Sequence, residues 1–176
     1  MPKLAALALV VGVLAVLDVW LFGLTPLVNF KLQVWMSFVA WGTHFIAGGK
    51  TSGAKASVLC MSFGALVGMV AAIAIGQMGA LGSLAAPIAV GVGAAVIVLA
   101  SKVPVLETIP AGFFGFACIF GMLGLKGADT PVAAVGPTII SIIIGGAFGY
   151  VSEILTDMLA RKDIALEPGL GQPTGA

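Results

Sequence analysis

The sequence predicts an all-α, polytopic membrane protein: six transmembrane helices arranged as two inverted three-helix repeats, with N and C termini cytoplasmic. Three observations carry that expectation. Hydrophobic residues make up 60% of the chain and charged residues 9%, where a soluble domain carries about 25% charged residues. An apolar unit occurs twice, since Ser37-Phe38-Val39-Ala40-Trp41-Gly42-Thr43-His44-Phe45-Ile46-Ala47-Gly48-Gly49 returns 75 residues on as Gly112-Phe113-Phe114-Gly115-Phe116-Ala117-Cys118-Ile119-Phe120-Gly121-Met122-Leu123-Gly124. A second echo, at an offset of 81, aligns Phe63-Gly64-Ala65-Leu66-Val67-Gly68 with Ile144-Gly145-Gly146-Ala147-Phe148-Gly149. Internally duplicated helical units are a common plan of membrane transporters.

A membrane-crossing helix needs about 20 mostly apolar residues, and six stretches qualify, at roughly 4–24, 29–48, 54–78, 82–101, 105–124 and 133–158. The first starts with Lys3, lacks a small-x-small cleavage site before Pro26, and reads as a retained helix. Pro26 separates the first two spans, and Gly48-Gly49 with Thr51-Ser52-Gly53 ends the second. The stretch Gly76 to Gly82 makes the third connection. Pro104 and Pro110 flank the start of the fifth span, where Pro110 predicts a kink. Pro87 and Pro137 fall in the first turns of spans four and six, where a missing N–H costs little. One transmembrane domain, 1–163, therefore holds repeat one at about 4–78 and repeat two at about 82–158. The Pro- and Gly-rich stretch 164–176 predicts a disordered cytoplasmic tail.

Loop charges orient the chain. The side with both termini carries Lys3, Lys50, Lys55, Lys102, Arg161 and Lys162; the other carries Lys31 and Lys126. Lys and Arg collect on cytoplasmic loops. With three spans per half, the second copy enters from the opposite side, which makes the repeats inverted. A net charge of +1 offers no basic face for nucleic acid. Cys60 and Cys118 lie in apolar runs and read as core residues, outside any disulfide or metal site. No nucleophile with a base, metal-ligand spacing or phosphate-cradling loop predicts an enzyme or a cofactor, and Gly48-Gly49-Lys50-Thr51 lacks the upstream strand and glycine of a P-loop.

Small residues four apart, Gly64 with Gly68 and Gly145 with Gly149, mark smooth helix-packing faces on spans three and six. The expectation is that these two helices pack tightly, across the pseudo-two-fold axis or against another subunit.

Ionisable groups within spans are functional candidates because burying them in lipid is costly. Asp18, His44, Glu107 and Glu153 are the polar pathway candidates. Asp18 is expected to face a cavity, pair with Lys31, or be protonated. His44, the single His, suits a neutral hydrogen-bonding role better than metal binding. Glu153 is expected to line a vestibule with His44 and Glu107, while Asp157 is solvated. The duplicated phenyl rings, Phe38 with Phe113 and Phe45 with Phe120, are the candidate constriction of a pore, one ring pair towards each face. Trp20 and Trp35 read as interfacial anchors.

Three blocks, Trp35-x-x-Phe38-x-x-Trp41-x-x-x-Phe45-x-x-Gly48-Gly49, Ile109-Pro110-Ala111-x-Phe113-x-Gly115-x-Ala117 and Gly145-Gly146-x-x-Gly149-x-x-Ser152-Glu153, resemble the YcdZ-like family of uncharacterised bacterial inner-membrane proteins, over about residues 4–160. The resemblance implies a small multi-pass protein of the bacterial inner membrane and no settled activity. The 3+3 plan is similar to that of aquaporins and formate–nitrite channels, although the Asn-Pro-Ala motifs are missing. The residues themselves point to a channel or facilitator for a small neutral or weakly acidic solute, assembled as a homo-oligomer in the lipid bilayer. A proton-coupled small-molecule transporter and a non-transporting scaffold or accessory subunit are the rival readings.

Overall fold

The computed structural model describes residues 1–164, with side chains described through Ala160; all but the first residue of the expected tail, 164–176, lies outside the described residues. Among the described residues the chain is all-helical. Helix α1 (Lys3–Phe22) is followed by a short α2 (Thr25–Asn29) and by α3 (Val34–Ile46). One long helical rod then runs through α4 (Lys50–Lys55), a π-helical turn (Ala56–Cys60) and α5 (Met61–Gln77). A 3₁₀ turn (Gly79–Leu84) leads into α6 (Ala85–Ala100), a second one (Pro104–Leu106) precedes α7 (Ile109–Gly124), and α8 (Pro131–Ile164) ends the described chain.

Four helical stretches are long and apolar enough to cross a membrane, Lys3–Phe22, Lys50–Gln77, Gly79–Ala100 and Pro131–Ala160, and they mark a membrane protein. The stretches expected at 29–48 and 105–124 form shorter helices of 13 and 16 residues. At 1.5 Å per residue these reach about 20 and 24 Å, short of the roughly 30 Å hydrocarbon core. They are short because the backbone leaves the helix on both sides: Gly48 and Gly49 take positive φ after α3, as do Lys31 before α3 and Lys126 after α7. Protein also shields them well. Helix α3 buries Met36, Ser37, Ala40, Trp41, Thr43 and His44, whereas the longer α1 buries only Ala6, Leu14, Asp18 and Phe22.

Three local expectations are corrected. Thr51-Ser52-Gly53 is helical, because the turn is completed by the positive φ of Gly48, Gly49 and Lys50 ahead of it. Pro110 stands in the first turn of α7 and starts the helix instead of kinking it. Pro137 lies inside α8, which begins upstream at Pro131.

Helix packing is repeated with the halves exchanged. The two most extensive pairs are α5 with α7 and α3 with α8, followed by α1 with α8 and α5 with α6. The glycine faces explain the first two. A Cβ on Gly64 would strike the Gly112 carbonyl of α7, and one on Gly145 would strike the Ser37 carbonyl of α3. One turn on, Gly68 abuts Phe116 and Ile119 of α7, and Gly149 abuts His44 of α3. These are corresponding positions under the sequence offsets of 75 and 81. The two glycine faces are therefore turned to α7 and α3, not to each other, because backbone can approach backbone closely only where no Cβ intervenes. The first residue of the π-helical turn Ala56–Cys60 is matched 81 residues on by Pro137, the proline inside α8.

Candidate functional site

Side chains on one face of α3 carry a polar seam along α8 and α1. Ser37, Trp41 and His44 are spaced by four and three residues, which at 3.6 residues per turn keeps them in one line, and Gln33 stands just ahead of the helix. The Gln33 backbone N–H donates to the Ser141 hydroxyl at 3.0 Å. The Ser37 hydroxyl donates to Asp18 Oδ1 at 3.0 Å. Trp41 Nε1 donates to the Ser152 hydroxyl at 3.1 Å, and Ser152 in turn donates to the Gly149 carbonyl at 2.7 Å. At the end of the seam, His44 Nε2 meets Glu153 Oε2 at 3.0 Å.

Glycines make room for that last pair. The His44 ring is fully buried. A Cβ on Gly149 would lie 2.7 Å from His44 Cβ, and one on Gly53 would strike the His44 carbonyl and come within 3.0 Å of Nδ1. Glu153 lies over Gly49, whose added Cβ would fall 2.8 Å from Oε2. The positive φ of Gly48, Gly49 and Lys50, at 88°, 68° and 53°, turns the chain sharply enough to aim the Lys50 N–H at Glu153 Oε2, to which it donates. Lys50 is the first residue of α4, so the carboxylate caps the amino end of the rod that continues into α5, where the helix dipole favours negative charge.

Glu153 is the wet side of the pair, its side chain 22% exposed against 0% for His44. Two clefts flank it. One of about 270 Å³ is lined by Lys3, Leu7, Phe45, Gly49, Glu153 and Thr156, and a smaller one of about 130 Å³ involves Lys50, Tyr150, Glu153 and Asp157. A buried imidazole backed by a partly wet carboxylate can pass a proton or a hydrogen bond between the cleft and the interior. A cavity of about 380 Å³ lies elsewhere, between α5 and α6, and is lined by apolar side chains such as Leu66, Val70, Ile88 and Val92.

The structure thus joins His44 with Glu153 but not with Glu107, which is exposed ahead of α7 and makes no hydrogen bond or ion pair with either. Asp18 is fully buried and bonded to Ser37, while Lys31 pairs with Asp129 at 3.8 Å, so the expected Asp18–Lys31 pair does not form. Asp157 is held by Lys3 at 2.9 Å in place of simple solvation. Phe38, Phe45 and Phe113 are exposed, Phe45 on the wall of the larger cleft, and Phe120 packs on Phe116 with ring centroids 5.1 Å apart. Trp35 covers Gly121 of α7, beyond any interfacial role. Cys60 and Cys118 are buried free thiols. No group of three or more His, Cys, Asp or Glu among the described residues is placed to hold a metal. Sequence reasoning missed Ser37, the packing role of Gly53 and the Lys50 N–H; the spacing of Ser37, Trp41 and His44 carried the signal for the first.

The chain belongs to the family described as "Protein of unknown function (DUF1097)", whose model matches residues 8–157. That span runs from α1 to the residue that pairs with Lys3, and so includes the whole seam. No curated protein and no solved structure matches the chain.

Proposed function

We propose that this protein carries a small neutral or weakly acidic solute across a membrane, through the half formed by α1, α3 and α8, with proton coupling at His44 and Glu153. The observation that supports this reading is the buried His44 imidazole bonded to a carboxylate that opens onto a cleft of about 270 Å³. Ionisable groups are costly in lipid and are kept there chiefly where they bind or relay. A cleft of that size admits a molecule of a few heavy atoms. Proton coupling is favoured over an open channel because the seam is closed by close helix contact at Gly145 and Gly149.

The setting of this reading is a multi-pass protein of the bacterial inner membrane, with both termini cytoplasmic and six spans in inverted halves of the YcdZ-like kind. Exchanged packing of α5 on α7 and α3 on α8 supports the two-half plan, and the excess of Lys and Arg on one side supports the orientation. A second reading rests on a different observation. Because Phe38 and Phe113 are exposed, a channel built on these rings would have its constriction between copies of a homo-oligomer.

Stopped-flow light scattering of proteoliposomes, challenged with urea, glycerol, short amides, formate and acetate, tests both. Faster entry than in empty liposomes, increased by an imposed proton gradient and lost in Glu153→Gln, is the expected outcome. Entry insensitive to the gradient but changed by Phe38→Ala/Phe113→Ala would favour the channel. No acceleration for any solute overturns transport and leaves the scaffold reading.

A further inference from the structure

A second ionisable group lies inside the same half, two turns back along the seam, and the His44–Glu153 site does not use it. Asp18 is 0% exposed, within a helix otherwise apolar from Leu4 to Phe22. Its Oδ1 accepts the Ser37 hydroxyl proton, and its Oδ2, equally buried, has no hydrogen-bond partner. A buried acceptor left without a partner costs about 1–3 kcal/mol, and more when charged, so such an atom points to something that the site takes up.

Nearby charges do not fill the need. The elements packed on α1 are α8, α3 and α2, and among their described side chains the titratable groups are engaged elsewhere or lie at the far end of the seam. Lys3, on α1 itself, pairs with Asp157 of α8. His44 of α3 pairs with Glu153 of α8. Lys31, in the turn between α2 and α3, pairs with Asp129. The group that faces Asp18 is the Ser37 hydroxyl, a neutral donor. The corresponding place in the other half carries no polar group: Gly112 answers to Ser37, and the side chain against it is Ile97, itself buried. Shape alone therefore does not demand a carboxyl here; an aliphatic side chain fills the equivalent niche.

We infer that Asp18 and Ser37 form an intramembrane proton-binding site, which takes a proton on Asp18 Oδ2 and releases it as the carboxylate is exposed to water during the cycle. No bond other than O–H is made or broken, and Ser37 holds Oδ1 in both states. Uptake of the proton neutralises the one carboxyl placed deep in α1 and supplies a donor where the structure has a lone acceptor. Proton binding stands on the geometry of Asp18; its use for coupling rests on the transport reading proposed above.

The experiment has two arms. In the first, purified full-length protein in phosphatidylcholine–phosphatidylglycerol vesicles is treated with dicyclohexylcarbodiimide, which adds to protonated carboxyls in apolar surroundings, and the adduct is mapped by peptide mass spectrometry. The expected result is an adduct on Asp18 that falls as the buffer is made alkaline. An adduct confined to Glu153 or Asp157, or none at all, overturns the site, and no variant has to fold for this arm to decide. In the second arm, Asp18→Asn is compared with wild type for uptake driven by a proton gradient and for solute exchange without one. Loss of gradient-driven uptake with exchange retained assigns the coupling to Asp18; unchanged gradient-driven uptake overturns that role. If wild type moves no solute, the transport reading fails while the first arm still decides whether Asp18 binds a proton.

Discussion

The α3–α8 pair and the α5–α7 pair share one packing scheme and differ in chemistry. In each, a long helix lays Gly64-x-x-x-Gly68 or Gly145-x-x-x-Gly149 against a short neighbour. Yet where α3 presents Ser37, Trp41, Thr43 and His44, α7 presents Gly112, Phe116, Cys118 and Ile119 at the corresponding places. The same holds for the partner helices, since Ser141 and Ser152 on α8 stand where the π-turn and α5 have Cys60 and Ala71, although Thr138 is matched by another hydroxyl, Ser57. Packing needs only small residues and shape, and the apolar pair meets that need without a hydrogen-bonded seam. The polar pair carries groups that packing does not require, and those are the ones to test for function.

If the shared scheme is purely steric, its disruption should be severe and equal in the two halves. Gly64→Val and Gly145→Val each force a side chain into a facing carbonyl, so both should cost about 3 kcal/mol or prevent folding. Thermal unfolding in detergent, followed by intrinsic fluorescence, checks this. A marked difference between the two variants would break the equivalence of the halves.

Chemistry, by contrast, should separate the pairs. Replacing His44 by the residue of the apolar half, His44→Ile, should leave the fold largely intact and abolish solute flux. The reciprocal Ile119→His places an imidazole among Met122, Cys118 and Met61, with no carboxylate at hand, and should cost about 2 kcal/mol of stability without affecting the seam. Flux assays and unfolding curves of the two variants sharpen the comparison. Full flux in His44→Ile would reduce the polar seam to structure.

Much of this was legible in the residues. The echoes at 37–49 and 63–68 locate the repeated packing faces because Gly spacing is a direct consequence of backbone contact. Depth along a span put His44 and Glu153 at a common level, and they do meet. Hidden from sequence was the identity of the facing helix: spacing defines a smooth face but does not name what lies on it, so the turning of α5 to α7 and of α8 to α3 was not readable. Depth alone also grouped Glu107 with them, but it is exposed ahead of α7 and bonds neither, since a level along a span says nothing about direction around the bundle. The Lys50 N–H is a backbone group released by three consecutive positive φ angles, a conformation that Gly48-Gly49 permits and Lys50 does not announce.

A smaller effect isolates one hydrogen bond of the seam. Trp41→Phe reproduces the Phe116 of the apolar half and removes the donor to Ser152. Interhelical hydrogen bonds in membranes average about 0.6 kcal/mol, and Ser152 keeps its bond to the Gly149 carbonyl. A loss of that order in unfolding free energy is expected. A loss several times larger would mean that the indole fills space that a phenyl ring cannot.

The least effect should come from the ion pair that joins the start of α1 to the end of α8. Lys3 and Asp157 meet at 2.9 Å, but the Lys3 side chain is 70% exposed and that of Asp157 is 38% exposed. Exposed pairs contribute about 0–1 kcal/mol, because water screens the attraction and two long side chains lose freedom to make it. Lys3→Gln should therefore leave unfolding almost unchanged in physiological salt. Its value as a test lies in the cleft, which Lys3 lines together with Glu153. If Lys3 helps to draw a weakly acidic solute toward Glu153, the variant should slow uptake of formate and acetate while sparing urea and glycerol, and added salt should shrink the difference. Equal slowing of all four would instead identify the pair as a mechanical tie between α1 and α8.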